Sequence, residues 1–219
     1  MNIKLFIKTL TLITSLFIMK VQATPITYDG IEFSEGAVSF ADVIVDYTEG
    51  TGVSDAHNNP LGAIGAPDLG SNDTWVALGG AGSLTVQFTD NSLTTSGDAS
   101  LDLWVFEIGN AIEPANVDIS TDGFSWFSVG TVGGATDGID IDAFIGSGVI
   151  LDELYSFVRL TDLNGGLSGF PYAGADIDAI GAITSAEADP DLIVSVPEPS
   201  TLAIFALGIF GLASRRFKK

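Results

Sequence analysis

The 219-residue chain carries 28 acidic and 8 basic residues, one histidine and no cysteine, for a formal net charge of −20. The absence of cysteine excludes a disulfide framework, a thiolate metal site and a cysteine nucleophile, and a single histidine excludes a multi-histidine metal centre. The acidic balance argues against nucleic acid as a partner, because a phosphate backbone needs a basic patch, while 46% hydrophobic residues suffice for a buried core.

At the N-terminus, Lys4 and Lys8 precede the uncharged apolar run Thr9–Met19, and Val21-Gln22-Ala23 places small residues around a cleavage position. This predicts a secretory signal over residues 1–23, cut after Ala23. An uncleaved anchor is the alternative, but the run is short against the ~20 apolar residues of a stable span. Between Thr24 and Val196 the chain has 27 acidic residues and one basic residue, Arg159, for a net charge of −26. Such a body repels polyanions and attracts cations.

Residues 24–196 have the length of one domain and almost no helical periodicity. Short β-prone runs predict strands near Asp42–Tyr47, Trp75–Leu78, Ser83–Phe88, Ser100–Glu107, Asn116–Ser120, Phe124–Val129, Ser156–Asp162 and Asp176–Ile183. Gly79-Gly80-Ala81-Gly82, Thr121-Asp122-Gly123 and Asn164-Gly165-Gly166 supply turns between them. The expected fold class is all-β, a jelly-roll-like antiparallel β-sandwich. Alternation assigns Leu101, Leu103 and Val105 to one face, and Val158 and Leu160 to one face with Arg159 opposite. It puts Ile177, Ala179 and Ile183 together, with Asp176, Asp178 and Ile180 on the other side.

Val117-Asp118-Ile119-Ser120-Thr121-Asp122-Gly123-Phe124-Ser125-Trp126 reads as strand, Asp-Gly turn and strand, and Tyr155–Thr161 follows some thirty residues later. The pair resembles the discoidin, or coagulation factor type C, branch of the galactose-binding-like sandwiches. The resemblance covers about a third of the chain. It implies a jelly roll, often with a structural calcium, whose end loops bind glycans or membranes. Gly65-Ala66-Pro67-Asp68, Leu101–Glu107 and Gly174–Ile180 are similar to segments of exported PEP-CTERM domain proteins.

After Val196, Pro197-Glu198-Pro199 leads into an apolar run and the basic tail Arg215-Arg216-Phe217-Lys218-Lys219. The prolines keep the entry extended, and the basic cluster stays cytoplasmic by the positive-inside rule. A helix over residues 200–214 reaches only ~22 Å, short of a ~30 Å hydrocarbon core. Residues 197–219 resemble the PEP-CTERM sorting signal of Gram-negative bacteria. The resemblance implies processing by an exosortase, transient anchoring in the inner membrane, and company with exopolysaccharide. An ordinary single-span tail is the alternative.

Within the body, Glu107, Glu113, Asp176 and Asp178 are the candidate calcium ligands, since calcium takes six to eight oxygens and strand-end carboxylates two residues apart can share an ion. A solvated acidic sheet face is the alternative. Asp118–Gly123 starts like an EF-hand loop but has Val129 where the loop needs its final Glu, so a hairpin is expected. Gly133–Asp142 reads as an acidic loop able to lend one ligand. Trp75, before a strand, is the expected exposed sugar platform, and Trp126 is expected in the core. Arg159 is expected to pair with Asp162 or Asp118, with an acidic sugar as its alternative partner. His57 sits in a polar loop without a second histidine or a nucleophile elbow. The expected function is a non-catalytic, exported protein that binds extracellular polysaccharide, with calcium. A purely structural surface protein and a polysaccharide-active enzyme using paired carboxylates are the alternatives.

Overall fold

The computed structural model describes residues 23–68, 74–109, 113–163 and 169–192. Residues 1–22 of the expected 1–23 signal, and the sorting segment 197–219, lie outside the described residues. The chain divides after Asp189, and the strands below all belong to the unit that precedes this point. No helix among the described residues is long and apolar enough to cross a membrane.

The described residues form β1 (Ile26–Tyr28), β2 (Ile31–Phe33), β3 (Val43–Thr48), β4 (Val76–Ala77), β5 (Ser83–Gln87), β6 (Asn91–Leu93), β7 (Leu103–Glu107), β8 (Ala115–Ser120), β9 (Phe127–Val132), β10 (Thr136–Ile139), β11 (Phe157–Asp162), β12 (Asp176–Ala182) and β13 (Ser185–Glu187). Short 3-10 helices cover Gly36–Ser39, Pro60–Ala63 and Ile141–Phe144. Two antiparallel sheets carry the fold, one ordered β10-β7-β12-β4 and one ordered β3-β5-β11-β8-β9. The fold is therefore the expected all-β antiparallel sandwich. The eight expected strands are present with their ends displaced by at most three residues. The five further strands are three or four residues long, too short to show a period in the sequence.

The main core lies between the sheets. Leu84, Val86, Val117, Ile119, Val158 and Leu160 contribute from the five-stranded sheet, and Val76, Leu103, Val105, Ile177 and Ile180 from the four-stranded one. Leu103 and Val105 share a face as expected, but Leu101 lies before the strand and is exposed. A second apolar cluster, Phe33, Phe40, Phe106 and Ala179, covers the other face of the four-stranded sheet, with Ile26, Tyr28 and Ile31 of the β1–β2 hairpin packed against it. Strand β12 is consequently buried on both sides along its whole length.

That double burial hides an irregularity. The β12–β7 register slips between Ile177 and Ala179, a β-bulge at Asp178. The extra residue advances the alternation by one step. Ile177 therefore joins Ile180 and Ala182 in the main core, while Ala179 and Ile183 face the second cluster. The expected grouping of Ile177 with Ala179 and Ile183 is corrected by this bulge. Gly181 belongs to the same device: a Cβ there would stand 2.8 Å from the Phe40 ring and 2.9 Å from the Phe33 ring. The strand can pass under the two rings only without a side chain.

Candidate functional site

Two loops meet at one end of the sandwich. Val53 bridges Tyr172, and the Ser54 N–H donates to the Pro171 carbonyl at 3.2 Å. Gly50, Gly79 and Gly174 bring three backbone segments into direct contact: a Cβ on Gly79 would lie 2.6 Å from Gly50, and one on Gly174 2.8 Å from Gly79. This seam holds an aromatic group. His57 stacks on Trp75 with ring centroids 4.4 Å apart and planes 8° from parallel. Tyr172 leans on both, at 4.8 Å from His57 and 5.8 Å from Trp75. Phe170 is 75% and Tyr172 43% exposed, whereas Trp75 is 8% exposed. The expectation of Trp75 as an exposed platform is thus corrected: its ring is the floor under His57 and Tyr172. Polar groups rim the patch, with Asn58 Nδ2 donating to Glu49 Oε2 at 2.8 Å and Asn59 capping the next 3-10 helix. A partly exposed tyrosine over a stacked His–Trp floor, with an amide and a carboxylate alongside, suits stacking against an apolar sugar face and hydrogen bonding to its hydroxyls.

Behind this patch the run Ala173–Ala175 leads into Asp176, bonded through Gly79 N–H to Ala173 and Leu78 N–H to Ala175. Asp176, Glu107, Glu113 and Asp162 are all more than nine-tenths buried. Desolvation, then the Glu113 charge, pushes the Glu107 carboxyl up to about 8. Desolvation, then the Glu113 and Glu107 charges, pushes Asp176 up to about 8. Asp176 Oδ1 has no hydrogen-bond donor. Three of the four expected calcium ligands, Glu107, Glu113 and Asp176, are therefore close enough to act on one another. The fourth, Asp178, lies in the bulge, where its Oδ2 accepts the Asp68 N–H at 3.1 Å beside a pocket also lined by Thr74.

Arg159 lies on the outer face of the five-stranded sheet. Its Nη2 donates to Asp118 Oδ2 at 2.8 Å, its Nε at 3.1 Å, and its guanidinium stands 4.3 Å over the Trp126 ring. Asp118 is its direct cross-strand neighbour, so the pairing follows from register. Trp126 is half-buried as a lid on Arg159, not a core residue as expected. The Asp122-Gly123 segment is the β8–β9 hairpin, as expected: Asp122 accepts from the Phe124 and Ser125 N–H groups, which hold its carboxyl down at about 2.

The sequence reading missed Phe170 and Tyr172. Their signal was an aromatic-proline-aromatic run inside a glycine-rich loop, where composition alone predicts only a turn. It also missed Asp102, which sits beside Asp140 and Asp142 with one carboxylate oxygen from each within 4.8 Å of the others. Asp140 and Asp142 are the end of the acidic loop singled out above.

A family model, the PEP-CTERM protein-sorting motif, matches residues 195–219. No curated protein sequence matches the chain. Among solved structures, the chain is similar to the CBM32 of AlyQ in complex with 4,5-unsaturated mannuronic acid, at 13% identity and TM-score 0.40, covering 64% of this chain and 96% of that one. It is similar to CpGH89CBM32-6 of Clostridium perfringens, at 13% identity and TM-score 0.37, covering 66% and 92%. It is likewise similar to the C-terminal domain of a chitobiase from Bacteroides fragilis, at 13% identity and TM-score 0.40, covering 70% and 97%.

Proposed function

We propose that this exported chain, which carries a PEP-CTERM sorting motif, binds extracellular polysaccharide through the His57–Trp75–Tyr172 group, with Phe170 beside it. The observation that carries the reading is the partly exposed Tyr172 ring leaning on a stacked His57–Trp75 floor, with the exposed Phe170 two positions away on the same loop. The sorting motif supports the setting: it implies export and exosortase handling, with the product at the cell surface or in the matrix. Calcium belongs to the proposal at Glu107, Glu113 and Asp176, where a divalent ion would offset the repulsion of buried carboxylates directly behind the aromatic loop. The role of calcium there is to fix the loop, not to touch sugar.

The test is co-sedimentation of the full chain with the producing organism's exopolysaccharide, once with calcium and once with chelator. Binding that needs calcium is the expected result. Equal binding in both removes calcium from the account, and no binding in either removes the glycan reading and leaves a structural surface protein. A catalytic reading has one observation in its favour, the two carboxyls pushed up to about 8. It requires turnover of the polysaccharide that is lost in Glu107→Gln.

A further inference from the structure

The aromatic patch is rimmed by acceptors. Glu49 holds Asn58 through a 2.8 Å bond from Nδ2 to its Oε2, and Asp55 is exposed two positions before His57. A pocket of about 210 Å³ adjoins the patch across the Trp75 backbone: a Cβ on Gly62, which lines it, would stand 2.6 Å from that backbone. Its polar lining is Asn59, Thr74 and the carboxylates of Asp68 and Asp178. A ligand seated here therefore meets carboxylate oxygens on both sides of the tryptophan.

The groups that recognise an anion are engaged elsewhere. Arg159 is the one basic residue between Thr24 and Val196. It is bound to Asp118 and stacked over Trp126, in the middle of β11 on the outer face of the five-stranded sheet. Backbone N–H groups around the patch, which could otherwise cradle an anion, donate within the protein: Ser54 to Pro171, His57 to Ser54, Tyr172 to Gly169, Ala173 to Gly52, Gly79 to Ala173 and Gly80 to Thr51. The Nδ1 atom of His57 is buried, so the imidazole cannot grip a carboxylate with both nitrogens. A carboxylate, sulfate or phosphate taken out of water without such a partner is costly. Sugar hydroxyls donate as well as accept, and donate strongly to carboxylates.

We infer that the patch selects polysaccharide free of carboxylate, sulfate and phosphate groups, and that Glu49 enforces the choice by accepting from neutral hydroxyls and repelling anionic sugars. The inference rests on the glycan reading and adds the class of sugar to it. Discrimination of this kind comes from the repulsive element as much as from the contacts made. It assigns Arg159 to the fold and not to an acidic ligand.

The test is calorimetric titration of the full chain with oligosaccharides released from the organism's exopolysaccharide, at one calcium concentration throughout. They are used as released, after reduction of their carboxyl groups to alcohols, and after oxidation of their primary hydroxyls to carboxylates. The oxidised set is expected to bind at least about tenfold more weakly than the reduced set at low salt, because like charges a few ångströms apart repel. The gap is expected to narrow at about 1 M salt, where the screening length is about 3 Å, and to shrink at least about threefold at low salt in Glu49→Lys. Oxidised oligosaccharides that bind as tightly as reduced ones, or binding lost on reduction, overturn the inference and leave the glycan reading standing. A gap that responds neither to salt nor to Glu49→Lys also overturns it, since the discrimination is then one of shape. Binding of none of the three sets removes the glycan reading and the inference with it.

Discussion

His57 and Trp75 illustrate how a residue can be correctly noticed and wrongly placed. Trp75 opens the run into β4, where alternation allows exposure, but the loop bearing His57 folds over it through the Ala77 N–H to His57 carbonyl bond at 2.9 Å. The exposed face passes to Tyr172, which is 115 positions from His57 in the chain. Tyr172→Ala is predicted to abolish polysaccharide co-sedimentation while lowering stability by no more than about 1 kcal/mol, since the ring is 43% exposed. Denaturant unfolding beside the binding assay checks both halves. Arg159→Ala is predicted to cost about 1–2 kcal/mol, from the lost Asp118 pair and the Trp126 stack, and to leave polysaccharide binding unchanged. That Arg159 pairs with Asp162 or Asp118 was legible in the sequence, and strand register selects Asp118. The aromatic patch was not, because it exists only where two distant loops meet.

At the scale of elements, strands long enough to alternate were legible and their burial followed. Val158 and Leu160 face the core with Arg159 outward, as alternation requires. Leu160→Ala is predicted to destabilise by about 2–5 kcal/mol in chemical denaturation, since the side chain is wholly buried. Strand β12 is where alternation failed. Covered on both faces, it buries every residue, the aspartates included, so its alternation of Asp and Ile does not mark which face is core or where the bulge falls. Its small residues carried the hidden information: Ala179 and Gly181 make room for Phe106, Phe40 and Phe33. Gly181→Ala is predicted to cost about 1–3 kcal/mol by overpacking against the Phe40 and Phe33 rings, read as a lower unfolding midpoint with an unchanged slope.

For the molecule as a whole, the dominant property is a −26 body with few ways to neutralise itself. Glu107 and Asp176, pushed up to about 8, keep their protons in the folded state where the unfolded chain has released them above about 4. Folding then binds protons between those values, so stability is lost as pH rises through that window. With chelator present, the melting temperature is predicted to fall from about pH 4 to about pH 8, and calcium to reduce the fall. Asp176→Asn should flatten the chelated profile. An unflattened profile would assign the slope to general charge repulsion. The acidic body and the sorting tail were both plain in the sequence, so setting was easier to read than site. The most direct test of the glycan reading is titration of the full chain with oligosaccharides released from the organism's exopolysaccharide, followed by tryptophan fluorescence. The account predicts a saturable change from Trp75 in wild type that disappears in Tyr172→Ala. A saturable change that is the same in both proteins, or no change in wild type, would contradict it.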